Sequence, residues 1–174
     1  MIATASQMLL VRYGQVPEVA RCQFAGDLPS PLRSASVVVQ THRGLQLGTI
    51  LQPIRGSTDR EGMFDVLRLA TEDDLAQHLS LSQRCDEEFD AWQERIQKWQ
   101  LHLQLLDLER TLDGEKLILY VLSERGPDCT KLAIQAAAAG LGIIEVQPVS
   151  ATGLTAPEES GGGGGCGSGS CGCH

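Results

Sequence analysis

The chain has 174 residues, of which 42% are hydrophobic and 21% are charged, and its formal net charge is −8. This composition is typical of a globular protein with one compact domain or two small ones. It has no run of about 18 apolar residues, and residues 1–10 lack the basic and apolar regions of an export signal. We therefore expect a cytoplasmic protein without a membrane span. The negative charge repels phosphate backbones, which disfavours direct nucleic-acid binding.

The first third of the chain predicts β-strands. Short apolar runs at residues 8–13, 16–24, 35–40 and 45–51 are separated by turn residues. Residues 37–39 are all valine, and a tight turn at His42-Arg43-Gly44 leads into the alternating run that follows. The pattern predicts a small barrel-like sheet in an all-β subdomain that spans residues 1–55.

A helix is predicted to begin after a brief strand at residues 66–69. Thr71-Glu72-Asp73-Asp74 is a capping box, in which Thr71 and Asp74 satisfy each other's exposed amides. Apolar residues then recur with helical spacing and predict one buried face, opposite an acidic, solvated face. This predicted buried face comprises Leu75, Leu79, Cys85, Phe89, Trp92, Ile96 and Trp99.

The next segment predicts a hairpin, a second helix and a last strand. Residues 101–122 alternate around Asp113-Gly114, the signature of a tight turn. Asp128 is then expected to cap a helix over residues 129–139, and residues 143–149 form the last strand. The fold class is α+β: a small barrel-like sheet, then a helix-hairpin-helix-strand module at residues 63–150 whose two helices cover one face of a small sheet.

Residues 151–174 form a glycine- and cysteine-rich tail. A glycine run precedes Cys166, Cys171, Cys173 and His174, so we expect a flexible segment that only a metal or a partner would order. Thiolates and imidazole are ligands for zinc and for iron–sulfur clusters. Incidental thiols that bind no metal, or a labile disulfide, are the alternatives. Three other cysteines, Cys22, Cys85 and Cys129, are predicted to lie in the core.

Motifs of classical catalysis are not found in the sequence. It contains no phosphate loop, dinucleotide fingerprint, nucleophile elbow or zinc-protease motif. The acidic pairs are explained by helix capping and by surface exposure, and no histidine is placed to act as a base. We expect a protein that is not an enzyme.

Three stretches carry a resemblance to a known family. They are residues 43–48 (Arg-Gly-Leu-Gln-Leu-Gly), residues 67–75, which contain the capping box, and residues 106–117, which contain Asp113-Gly114. Together they resemble the polymerase-suppressor (PSP-type) C-terminal conserved-region family, in particular the bacterial YaaT/RicT-like proteins, over residues 11–149. The resemblance implies a non-catalytic cytosolic adaptor or regulatory subunit. Such a subunit joins small helical partner proteins in a complex that carries iron–sulfur clusters, and it adjusts messenger-RNA processing by the endoribonuclease RNase Y.

The resemblance also implies site residues. In the family, a Cys-Gly pair is followed by two adjacent cysteines; here Cys166-Gly167 and Cys171 keep the interval, whereas Gly172 separates Cys171 from Cys173. Cys166 and Cys171 are thus the implied cluster ligands, with Cys173 as a third thiolate and a partner supplying the rest. With His174, the three thiols would instead complete a tetrahedral zinc site.

Candidate partner contacts are Arg68, Arg125 and Asp128. The alternative for the last two is a loop ion pair and a helix cap.

Two other functions remain open from the sequence. A thiol or metal carrier would use Cys171-Gly172-Cys173 in the tail. An RNA-binding module would use the small barrel, with Arg43 and Arg55 on one rim, and would bind in a strongly salt-dependent way.

Overall fold

The computed structural model describes residues 6–26, 32–54, 63–123, 127–150 and 153–154. The predicted tail lies outside these residues except for positions 153–154. Over the described residues the order of elements is β1 (Ser6–Tyr13), β2 (Glu18–Ala25), β3 (Ser36–Thr41), β4 (Gly44–Ile54), β5 (Met63–Leu69), α1 (Glu72–Lys98), β6 (Gln104–Arg110), β7 (Lys116–Leu122), α2 (Asp128–Ala138), β8 (Ile143–Ser150) and β9 (Gly153–Leu154).

The first five strands form a closed barrel, and four of them lie in the barrel-like sheet that the sequence predicts. Their order is β1-β2-β5-β3-β4, and β4 pairs with β1 to close the ring. A two-residue turn at His42-Arg43 joins β3 to β4, because Thr41 pairs with Gly44. The last strand of the barrel, β5, falls in the predicted unit at residues 63–150, yet it pairs with β2 and β3. Closure by β5 leaves the barrel no free edge.

The barrel interior is filled by apolar side chains from all five strands and by Leu32 from the segment before β3. Gly48 allows β1 and β4 to approach, because a Cβ atom there would lie 2.6 Å from Val11 Cγ1. The fully or almost fully buried residues of this core are Leu9, Val11, Cys22, Leu32, Val37, Val39, Ile50 and Val66.

Helix α1 begins as predicted, but its buried face differs in its first half. Thr71 Oγ1 accepts from the Asp74 amide at 3.2 Å, and Asp74 accepts from the Thr71 amide at 2.8 Å. The prediction that Leu75 and Leu79 are buried is wrong: they are 43% and 60% exposed, and Leu81 is buried instead. At 3.6 residues per turn, the two leucines point roughly a third of a turn away from the buried side.

The other strands form a sheet of order β6-β7-β8-β9, in which β7 and β8 are parallel. Both helices pack on one face of this sheet, where Trp92 and Ile96 of α1 and Leu132 of α2 meet Leu108 and Leu119. Trp92 is therefore a core residue, as expected. The other face of the sheet carries Ile118, Tyr120 and Val149 and packs against Val16 from the β1–β2 turn.

Two local predictions in this region are wrong. The β6–β7 connection is not a two-residue turn: Thr111 N donates to Lys116 O at 3.0 Å, which leaves residues 112–115 in the loop. The tip is longer because the Leu112 amide donates to Leu45 O of the barrel at 2.7 Å. Asp128 is not the cap of α2, because Pro127 occupies that position without a side-chain bond. Gly140 follows the end of α2 with a φ of 69°.

Neither helix of the described chain combines the length and the apolar content that crossing a membrane requires.

Candidate functional site

The predicted tail ligands are not among the residues that the structure describes. Cys166, Cys171, Cys173 and His174 lie outside them, and so does Arg125. Within the described ranges, no group of three or more His, Cys, Asp or Glu side chains could hold a metal ion. The candidate ligands therefore remain predictions from the sequence.

Arg68 lies where β5 leads into α1, and it is about half exposed. Its guanidinium forms a bidentate ion pair with Asp74, in which Arg68 Nη2 donates to Asp74 Oδ1 at 2.9 Å. This pair and the bonds from Thr71 hold the pKa of the Asp74 carboxyl well below its usual range. Arg68 thus braces the start of the helix while part of its side chain stays open to solvent.

Asp128 links α2 to the loop before β6. Its carboxylate accepts from the His102 amide at 2.8 Å and from Lys131 Nζ at 2.9 Å, and these bonds lower its pKa. Arg68 and Asp128 therefore belong to separate contacts, and the structure does not join them into one site.

The three described cysteines lie in or against the cores, as predicted. Cys22 and Cys85 are buried, and Cys129 is half-buried against the helix-covered core. Burial raises the pKa of Cys22 to about 12 and that of Cys85 to about 11. Such thiols stay protonated at neutral pH and are poor nucleophiles and poor metal ligands.

A buried polar cluster joins the barrel to the second sheet. At its centre, Arg43 is 2% exposed. Its guanidinium pairs with Glu18 and donates to Tyr120 Oη at 3.3 Å. Arg43 Nε lies 3.9 Å from Glu145 Oε1 and has no hydrogen-bond partner. The prediction that Arg43 lies on an RNA-binding rim is wrong, because its side chain is buried and bonded to Glu18 and Tyr120.

Glu109 is the second centre of the cluster. Its Oε2 accepts from Tyr120 Oη at 2.5 Å and from the Gln15 amide at 2.9 Å, while its Oε1 accepts from Gln46 Nε2 at 2.7 Å. Burial and the neighbouring Glu109 carboxylate raise the pKa of Tyr120. These bonds connect the barrel to the second sheet. Because both oxygens of Glu109 accept hydrogen bonds, the carboxylate is not free to act as a general base.

Sequence reasoning did not identify this cluster. The alternation of apolar residues in β6 and β7 does not mark Glu109 or Tyr120 as members of a cluster. Their barrel partners, Gln46 and Arg43, lie 63 and 77 residues away along the chain. The sequence did not single out Glu109, because β6 also contains the charged residues Asp107 and Arg110.

A cavity of about 160 Å³ opens beside this cluster, between the barrel and α1. It is lined by Arg12, Gln15, Thr49, His78 and Glu109, among others. The lining is polar, and the Glu109 oxygens already accept the bonds described above.

The first half of α1 presents apolar side chains to solvent. Leu75 and Leu79 lie one turn apart on its surface. Nearby along the chain, Leu67 is the extra residue of a β-bulge in β5, because Val38 pairs with Arg68 and Val39 with Val66. The bulge leaves Leu67 about half exposed. The leucines at positions 67, 75 and 79 are therefore exposed apolar side chains within 13 residues of chain.

Comparison with known proteins identifies a conserved segment. Residues 64–138 match the family model described as the PSP1 C-terminal conserved region. The match begins in the last barrel strand and ends with the last residue of α2. No curated protein and no solved structure matches the chain. The match confirms the PSP-type resemblance in the sequence.

Proposed function

The chain carries a PSP1 C-terminal conserved region at residues 64–138, and from that premise we propose that it is a non-catalytic, cytosolic adaptor or regulatory subunit. It binds small helical partner proteins and adjusts messenger-RNA processing by an endoribonuclease of the RNase Y type. The YaaT/RicT-like resemblance supports this assignment.

The exposed leucines of α1 carry the proposal. They lie inside the conserved segment, on a helix whose second half alone packs against its own sheet. The buried polar groups that could have supported chemistry are Arg43 and Glu109. Both are hydrogen-bonded to the hydroxyl of Tyr120 where the barrel meets the second sheet. A helix with an unpartnered apolar surface favours protein binding over catalysis.

The regulatory role is tested by mapping transcript ends. Deleting the gene in its own bacterium should shift the 5′ ends of messenger RNAs that the endoribonuclease processes, and the wild-type gene on a plasmid should restore them. A second strain, depleted of the endoribonuclease, should lose the same ends. Unchanged ends in the deletion strain would contradict the proposal.

We further propose that Cys166, Cys171 and Cys173 donate thiolates to an iron–sulfur cluster that a partner completes, with a zinc site that includes His174 as the alternative. Three thiols and an imidazole are a suitable donor set for either centre. The test is to measure iron, sulfide and zinc in protein purified without oxygen, beside a variant with all three cysteines changed to serine.

Truncation is a second test of the metal proposal, and the cut must spare β9. Gly153 and Leu154 pair with β8, and Leu154 packs against the cluster of Ile118, Tyr120 and Val149. A chain that ends at residue 156 keeps these contacts. Equal metal content in all preparations, or none in the purified complex, would contradict a tail-bound centre.

A further inference from the structure

A single exposed stripe runs along α1. Its members follow one another at intervals of three or four residues, and all six are exposed. Such spacing places side chains on one face of a helix, as in the seam of a coiled coil. At 1.5 Å per residue, the stripe is about 27 Å long. Its residues are Glu72, Leu75, Leu79, Gln83, Asp86 and Asp90.

This stripe, which we call the α1 stripe, is separate from the contacts that hold α1 in place. The helix is anchored by its buried residues and by three polar contacts: Asp74 pairs with Arg68, Gln77 Nε2 donates to Leu112 O at 3.1 Å, and Arg110 donates to Glu88 at 2.8 Å. Among the described contacts, no hydrogen bond or ion pair involves a side chain of the stripe. Its residues are therefore available to another molecule.

The chemistry of the stripe changes along its length. The first part offers Leu75 and Leu79, whereas the second offers Asp86 and Asp90. A matching helix would have apolar residues opposite the leucines and Lys or Arg opposite the aspartates. We infer that the α1 stripe seats one basic amphipathic helix of a partner protein; this inference rests on the proposed adaptor function and identifies its docking face.

Charge argues against the other candidate occupants. A second copy in parallel would place Asp86 and Asp90 against themselves, and an antiparallel copy would place Asp86 near Leu75 and Asp90 against Glu72. Residues 155–174 offer only Glu158 and Glu159 as fixed charges and no large apolar side chain. Neither one complements the stripe, whereas a basic amphipathic helix does.

The test uses the full-length protein and synthetic peptides. Two fluorescent 18-residue helix-forming peptides each carry leucines in one half and lysines in the other half, all on one helix face. The leucines are in the N-terminal half of one peptide and in the C-terminal half of the other. A third peptide has the same composition in scrambled order. We expect one block peptide to bind about tenfold more tightly than the scrambled peptide, as measured by anisotropy.

Matched variants separate the stripe from net charge. Asp86→Asn with Asp90→Asn should weaken binding about fivefold, since two exposed ion pairs are lost. The control, Asp73→Asn with Glu115→Gln, changes the net charge equally at two exposed carboxylates that lie off the stripe, and it should change binding less than about twofold. Leu75→Ser with Leu79→Ser should weaken binding about tenfold, whereas Ile134→Ser on the exposed side of α2 should not.

Equal weakening by the two carboxylate pairs would overturn the inference, because only net charge would then matter. The lack of a preference for either block peptide over the scrambled one would overturn it as well. Transcript ends separate this result from the proposed function. Ends that respond to deletion but not to the leucine variant would refute the stripe alone, whereas peptide binding without any change of ends on deletion would refute the regulatory role alone.

Discussion

At the scale of single residues, burial decides which side chains keep their reactivity. Cys22 and Cys85 are enclosed by apolar neighbours, and their thiols titrate far above neutral pH. Desolvation penalises the thiolate, which is the form that attacks electrophiles and binds metals. Thiol chemistry in the described part of the chain is therefore suppressed at these two sites.

We expect Cys22 and Cys85 to resist alkylation in the native protein at pH 8. The raised pKa of each thiol keeps the neutral form dominant until the pH exceeds about 11. Labelling with iodoacetamide, followed by unfolding and labelling with its heavy isotope, would show both sites by mass spectrometry. Half-buried Cys129 is the internal comparison and should react faster. Native labelling of Cys22 at the rate of Cys129 would contradict the prediction.

Gly48 is a residue whose smallness sets the width of the barrel. A methyl group there would lie 2.6 Å from Val11 Cγ1 and 3.2 Å from Val39 Cγ2. Gly48→Ala should lower the free energy of unfolding by about 1–3 kcal/mol through overpacking, as measured by urea denaturation. The control is Gly140→Ala, where nothing lies within 4 Å and only the φ of 69° causes strain; we expect about 1 kcal/mol.

At the scale of elements, the start of α1 is set by residues next to one another in sequence, whereas its buried and exposed faces are set by packing. The capping box and the acidic first turn are sufficient to begin the helix at Thr71. Which face is buried depends on where the sheet lies beneath it. The turns after Leu81 pack into the core beneath the helix, whereas Leu75 and Leu79 in the turns before it are exposed.

Thr71→Ala should destabilise the protein by about 1 kcal/mol, because the Asp74 amide loses its acceptor. Thr71→Ser keeps the hydroxyl and should retain most of the stability. Thermal unfolding followed by circular dichroism would measure both variants. If the serine variant were as unstable as the alanine variant, the methyl group and not the cap would be the cause.

The ion pair of Asp74 makes part of this stability depend on pH. The pKa of Asp74 is lower in the folded protein than in the unfolded chain. Its contribution is therefore complete above the unfolded value of about 3.9 and is lost as the pH falls below it. The difference in unfolding free energy between the wild type and Asp74→Asn should be constant above about pH 5 and should narrow below about pH 4. A difference that stays constant down to pH 3 would contradict the assignment.

At the scale of the whole molecule, one buried cluster sets how the barrel meets the second sheet. Arg43 comes from the β3–β4 turn, Glu109 from β6 and Tyr120 from β7. Arg43 bonds to Tyr120 and Gln46 bonds to Glu109 across the two sheets, and the Leu112 amide adds a backbone bond to Leu45. The bond between Tyr120 and Glu109 joins these contacts within the second sheet. Buried charges are tolerated only when paired, so the cluster favours one relative placement of the sheets.

Tyr120→Phe should cost about 1–3 kcal/mol, because Glu109 loses a donor and Arg43 an acceptor inside the protein. Tyr13→Phe is the matched control: that ring is buried too, but its hydroxyl makes a single bond to Glu18 Oε2 at 3.2 Å. We expect the control to cost less in urea denaturation. Equal costs would mean that the loss of a buried tyrosine hydroxyl, and not the bonds to Glu109 and Arg43, explains the effect.

Much of the local structure could be predicted from neighbours along the chain. Alternation identified the barrel strands and the residues 101–122 hairpin, and Thr71 with Asp74 identified the start of α1. The length of the hairpin tip could not be predicted, because Leu112 bonds to Leu45 in another sheet. The role of Asp128 was missed for the same reason, since its carboxylate binds the backbone of His102.

The sequence by itself determined the type and order of the elements as far as β8, the capped start of α1 and the family of the conserved segment, because these depend on residues within a few positions of one another. It did not predict β9, which pairs with β8. Only the tertiary structure decided that β5 closes the barrel, that Arg43 is buried and that Leu75 and Leu79 are exposed. Those outcomes depend on groups far apart in sequence, such as Arg43 and Tyr120 at a separation of 77 residues. The sequence shows which side chains are apolar or charged. Which of them are buried depends on how the barrel, the second sheet and the helices pack against one another.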